Sequence, residues 1–133
     1  MEKLRLKEGV DAWNKWRKKN ANILPQLGKA NLRKANLSGA NLTEANLFRA
    51  NLTEAKLFRA NLTETTLRKA KLIEADLRRG DLRGANLSEA NFSRAKLNGA
   101  KLRRKKEPRC EAGLEVRGSA RGLSDEGLPR APV

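Results

Sequence analysis

The 133-residue sequence has no histidine, no tyrosine, one methionine and one cysteine. A lone Cys110 cannot close an internal disulfide. Without histidine, the common zinc ligand sets and most acid-base or nucleophilic constellations are also missing. We therefore expect no enzyme, no catalytic residue, no metal and no other cofactor. No apolar run approaches the roughly 18 residues that a membrane span requires. The opening Met1-Glu2-Lys3-Leu4-Arg5-Leu6-Lys7-Glu8 lacks the apolar stretch of a signal peptide. The expectation is a soluble, cytoplasmic, single-domain protein.

Acidic residues are scarce as well, with 15 Asp and Glu against 30 Lys and Arg, for a formal charge of +15. Segments 1–29, 30–104 and 105–133 carry +5, +9 and +1. The excess thus sits on the ordered part and its lead, which favours an electropositive folded surface over a basic tail.

What the sequence has in abundance is repetition. From Ala30 to Arg104 it runs in fifteen uninterrupted units of five residues, beginning Ala30-Asn31-Leu32-Arg33-Lys34 and ending Ala100-Lys101-Leu102-Arg103-Arg104. The third position holds Leu32, Leu37, Leu42, Leu47, Leu52, Leu57, Leu62, Leu67, Leu72, Leu77, Leu82, Leu87, Phe92, Leu97 and Leu102. The first position is Ala apart from Thr65 and Gly80. A helix advances 100° per residue, so a step of five drifts by about 140° and builds no single apolar face. A flat strand sends successive leucines to opposite sides. The remaining solution is a coil in which each unit makes one side and turns a corner, with positions one and three inward. Three or four sides per turn would both satisfy that geometry.

Tandem Ala-(Asn/Asp)-Leu-x-x units resemble the pentapeptide-repeat family. The resemblance implies an all-β solenoid, a right-handed quadrilateral β-helix, here of nearly four coils. Residues twenty apart then stack on one side, about 4.8 Å from one another. Burial of each large third-position side chain contributes about 2 kcal/mol before entropy is counted.

The expected domain organisation has three parts. Residues 1–29 form a lead-in, in which 4–19 reads as an amphipathic helix whose boundary could lie after Gly9. Its Val10, Trp13 and Trp16 are the candidate cap over Leu27, Leu32 and the first coil. The phrase Gly9-Val10-Asp11-Ala12-Trp13-Asn14-Lys15-Trp16-Arg17 also resembles a lead segment found before bacterial pentapeptide-repeat domains. Residues 30–104 form the β-helix. Residues 105–133 hold three of the four prolines and only sparse apolar positions, and read as an irregular or disordered tail. An open last coil would permit an end-to-end homodimer.

Function must be written at positions two, four and five. Sorted by side, the Leu37 side carries Lys56, Arg59, Arg78, Arg79 and Lys96 against Asp76, for a net +4, together with an outward Phe58. These six residues, Lys56, Phe58, Arg59, Arg78, Arg79 and Lys96, are the candidate binding site. Carboxylates such as Glu44 and Glu64 stack on a convex surface with nothing to raise their pKa, which disfavours catalysis. We expect a non-catalytic protein-interaction scaffold without a small-molecule substrate. The alternative is binding of nucleic acid or an anionic surface by the basic side. Some members of the family imitate duplex DNA to bind gyrase and topoisomerase. A mimic should be acidic, so +9 over the repeats disfavours that role.

Overall fold

The computed structural model describes residues 2–102. Two short helices lead the chain, α1 over Glu2–Lys7 and α2 over Val10–Lys19. The single helix expected over 4–19 is divided at Gly9, whose φ of 112° lies outside the helical range. The Gly9 carbonyl nevertheless accepts the Trp13 amide at 3.0 Å, so the second helix starts directly from the break. Arg17, Lys18 and Lys19 in the last turn suit the negative end of its dipole. Asn20 closes that turn, its side chain donating to the Trp16 carbonyl at 2.9 Å.

Beyond the helices the chain is a coil with four sides and twenty residues per turn. Every bridge between turns is parallel and joins residues twenty apart, from Gln26 with Asn46 to Asp81 with Lys101. The second-position residue is the only one of each unit to form a bridge, and no longer strand occurs among the described residues. The reason is the period itself. Positions one to three are extended, and positions four and five must turn, so a side ends before pairing can extend into a strand.

The coil begins one unit before the Ala-Asn-Leu pattern becomes legible. Pro25-Gln26-Leu27-Gly28-Lys29 already has the repeat's hydrogen bonds, with Pro25 O accepting the Asn46 amide and Asn46 O accepting the Leu27 amide, both at 2.8 Å. In later units the first-position amide donates to the preceding third-position carbonyl, as Ala30 does to Leu27 at 3.1 Å. At the first unit no such carbonyl precedes it, so proline's missing N–H costs nothing.

The amides of a unit pair in a regular pattern. Those of positions two, three and five pair with neighbouring turns, as in Asn51 to Ala30 O, Leu52 to Lys71 O and Glu54 to Ile73 O. The first-position amide closes the corner. The fourth-position amide has no backbone partner in this pattern, and in ten units an Asn or Asp side chain at position two supplies one. Asn31, Asn36, Asn41, Asn46, Asn51, Asn61, Asp76, Asp81, Asn86 and Asn91 each accept the amide two residues on, at 2.9–3.2 Å. The recurrent asparagine is thus a turn device. One coil-to-coil amide bond adds to it, from Asn46 Nδ2 to Gln26 Oε1 at 3.1 Å.

The corner has a conformational cost. Twelve fifth-position residues that are not glycine, from Lys29 to Arg94, hold φ between 57° and 61°. In the same position Gly39, Gly84 and Gly99 take φ of 74–76°. A left-handed third residue in a four-residue turn is the type II pattern.

The interior is a dry stack of leucine and alanine. Leu42, Leu47, Leu52, Leu57, Leu62, Leu67, Leu72 and Leu77 have no exposure, whereas Leu87 near the end of the described region is only partly buried. Thr65, in an alanine position, is buried and donates its hydroxyl to the Leu62 carbonyl at 2.8 Å, which removes the penalty of an unpaired hydroxyl. Gly80 stands where the corner is tight, since an added Cβ would lie 3.1 Å from the Leu77 carbonyl.

Helix α2 lies against the first turn. Trp13 is fully buried and its Nε1 donates to Asn41 O at 2.8 Å. Asn14 both donates to Gly39 O and accepts from the Asn41 amide. Arg17 is buried too, donating to Ile23 O at 2.9 Å and Thr43 O at 3.1 Å. Burial holds its guanidinium below the ordinary arginine range, with Glu44 opposing that shift. Val10 and Trp16 are partly buried against the same core. Leu6 of α1 is buried with them.

Candidate functional site

The four sides differ in what they display. Bridges joining Asn36 to Lys56, Lys56 to Asp76 and Asp76 to Lys96 bring the predicted basic residues onto one side. Lys56, Phe58, Arg59, Arg78, Arg79 and Lys96 are all exposed there.

Their charges are not equivalent. Arg78 grips Asp76 of its own unit in a two-pronged bond, Nε to Oδ1 at 2.8 Å and Nη2 to Oδ2 at 2.7 Å. That bond, chiefly, holds the Asp76 carboxyl below its usual range and raises the Arg78 pKa. Lys96 adds to the field on Asp76 from the next turn. Among the described residues, Lys56, Arg59 and Arg79 have no carboxylate partner on this side. The Arg59 and Arg78 guanidinium carbons each lie over the Phe58 ring, 5.5 Å from its centroid.

The Pentapeptide repeats family model matches residues 26–63 and 65–104, in 8 copies. The chain belongs to the pentapeptide-repeat family. Among solved structures it is similar to the pentapeptide-repeat protein Rfr23 from the cyanobacterium Cyanothece 51142, at 34% identity over 58% of this chain and 49% of that one, with a TM-score of 0.45. It is also similar to a thylakoid-lumen pentapeptide-repeat protein of Arabidopsis thaliana, at 31% identity over 58% and 54% of the two chains, with a TM-score of 0.44. A third, from Nostoc PCC 7120, is 31% identical over 74% and 88%, with a TM-score of 0.37. The chain spans about half the length of the first two. No curated protein matches it in sequence.

A pentapeptide-repeat coil places residues ten apart on opposite sides, and here that reveals a second group. Arg49 and Arg68 lie over Phe48, each 5.4 Å from the ring centroid, in the arrangement seen around Phe58. The sequence reading placed Phe58 in the candidate site and left Phe48 out of it. The signal was available in the identical strings Leu47-Phe48-Arg49-Ala50 and Leu57-Phe58-Arg59-Ala60, with Arg68 and Arg78 one turn further on.

Arg83 pairs with Asp81 of its own unit, and the remaining ion pairs bind neighbouring turns together. Glu54 faces Arg33 at 3.4 Å and Lys34 at 3.9 Å, Glu89 faces Lys69 at 3.7 Å and Arg68 at 3.9 Å, and Arg94 faces Glu74 at 3.4 Å. All are solvent-exposed, so each contributes no more than about 1 kcal/mol. Arg103, Arg104 and the segment 105–133 lie outside the described residues, as does the last-coil surface invoked for end-to-end pairing.

Proposed function

We propose that this pentapeptide-repeat chain is a non-catalytic interaction module that engages a protein partner through the sides of its coil. The observation that carries the reading is that Lys56, Arg59 and Arg79, on one side, have no carboxylate partner among the described residues. The interior is filled by Leu and Ala, leaving chemical variation to positions two, four and five.

In this reading the coil winds right-handedly and α2 serves as its N-terminal cap. The buried Trp13 and the bonds of Asn14, Trp13 and Arg17 to the first turn support that assignment. The unpaired cations also favour a second reading, attachment to a polyanion, which would weaken steeply with salt as counterions are released. Mimicry of acidic duplex DNA toward a topoisomerase is the least consistent, because the repeats are net positive.

Capture of partners from a native lysate by the tagged full chain, with and without nuclease, tests the choice. A partner retained after nuclease and lost from a Lys56→Glu, Arg59→Glu, Arg79→Glu triple variant supports the protein reading. Loss on nuclease treatment supports the polyanion. Retention by the triple variant refutes use of this side.

A further inference from the structure

The Phe-Arg groups on opposite sides of the second turn share more than composition. In each, a fourth-position phenylalanine carries the arginine that follows it and the arginine twenty residues after it, all four guanidinium carbons lying 5.4–5.5 Å from a ring centroid. In each, the later arginine is engaged by a carboxylate, Arg78 by Asp76 and Arg68 by Glu89. In each, the earlier arginine, Arg49 or Arg59, has no carboxylate partner among the described residues. Both stand exposed at a left-handed corner, with φ of 59° and 57°.

We propose that Arg49 and Arg59 are two equivalent carboxylate receptors, which make the module bivalent for an acidic segment of a partner protein. The inference rests on the interaction-module reading and specifies its ligand. A guanidinium presents a planar fork of donors that fits a carboxylate in two parallel bonds. An arginine already laid on a ring loses less side-chain freedom when it captures an anion. The corner conformation and the ring thus prepare the same group on both sides. Nucleic acid fits less well, because a stacking platform needs an open aromatic face and both rings already carry cations. The charges of Arg68 and Arg78, the second cations on each ring, are also answered locally by Glu89 and Asp76.

The test is calorimetric titration of the full chain at low salt with a short peptide of alternating Glu and Ser, and separately with oligothymidylate. The expected result is two equivalent peptide sites per chain. Arg49→Gln and Arg59→Gln should each leave one site, and the double variant should lose about tenfold or more in affinity. Phe58→Leu should weaken the Arg59 site several-fold while retaining its charge. Arg94→Gln, on a different side and paired with Glu74, should change nothing. Thermal melts of every variant separate lost binding from lost fold. Unchanged peptide binding by a folded double variant overturns the proposal, as does tighter binding of oligothymidylate than of peptide. A lysate partner retained by that double variant would leave the module reading standing and refute the receptors alone. Peptide binding as expected with no partner captured would do the reverse.

Discussion

The Asn61 side-chain oxygen accepts the Thr63 amide at 3.0 Å, and the Thr63 hydroxyl donates to the same oxygen at 2.8 Å. Asn61→Ala should therefore destabilise the chain by about 1 kcal/mol, since it deprives the fourth-position amide of its partner. Asn61→Asp, which keeps the acceptor, should be close to neutral. Urea unfolding of both variants checks the difference.

The left-handed corner gives a second test. Lys29 holds φ of 60°, and its amide donates to the Phe48 carbonyl at 2.8 Å. Lys29→Gly removes a strain of about 1 kcal/mol, offset in part by the extra freedom of the unfolded chain. The outcome should be neutral or slightly stabilising. Lys29→Val, with a branched Cβ at positive φ, should be destabilising by about 1–2 kcal/mol. Melting temperatures in the order Gly, Lys, Val would bear this out, whereas Val above Lys would contradict it.

Core and surface should respond very differently within one unit. Leu57 is fully buried, so Leu57→Ala should cost about 2–5 kcal/mol and Leu57→Arg should prevent folding. Arg59→Glu, two residues away, should leave the fold intact. Circular dichroism melts distinguish these outcomes.

The contact between α2 and the first turn predicts a comparable sensitivity at the start of the chain. Trp13→Ala removes a fully buried ring and the bond to Asn41 O, and should cost about 3–5 kcal/mol. Arg17→Ala withdraws donors from the Ile23 and Thr43 carbonyls and should cost about 1–3 kcal/mol. If Trp13→Ala leaves the melting temperature unchanged, the helix does not serve the coil as a cap.

Acid should weaken the fold through Asp76 and Asp81. Hydrogen bonds from Arg78 and Arg83 are the chief cause of both carboxyl pKa values lying below their ordinary range. The unfolded chain therefore takes up protons first. Stability from these groups is complete well above an unfolded pKa of about 3.9 and is lost as pH falls through the lower folded values. Melts between about pH 6 and pH 2 should show the decline, and Asp76→Asn with Asp81→Asn should flatten it.

Much of the architecture is legible because Leu and Ala occur with a five-residue period, and burial leaves such positions little latitude. Gln26-Leu27 escaped that pattern because proline replaced the alanine, although the hydrogen bonds of the turn are intact. The left-handed corners had a faint sign in Gly39, Gly84 and Gly99, but lysine, arginine and glutamate occupy most of the same positions and obscure it. Helical spacing alone does not show that Arg17 is buried, and only the approach of the Ile23 and Thr43 carbonyls gives its charge a buried place.

The sequence by itself determined a coil and which residues point inward. Those follow from periodicity and from the cost of leaving leucine in water. Only the tertiary structure decided that twenty residues complete a turn, which cations are answered by carboxylates, and that the Phe48 and Phe58 groups are counterparts. Each of these depends on distances between residues far apart in the chain, which hydrogen bonds between successive turns establish.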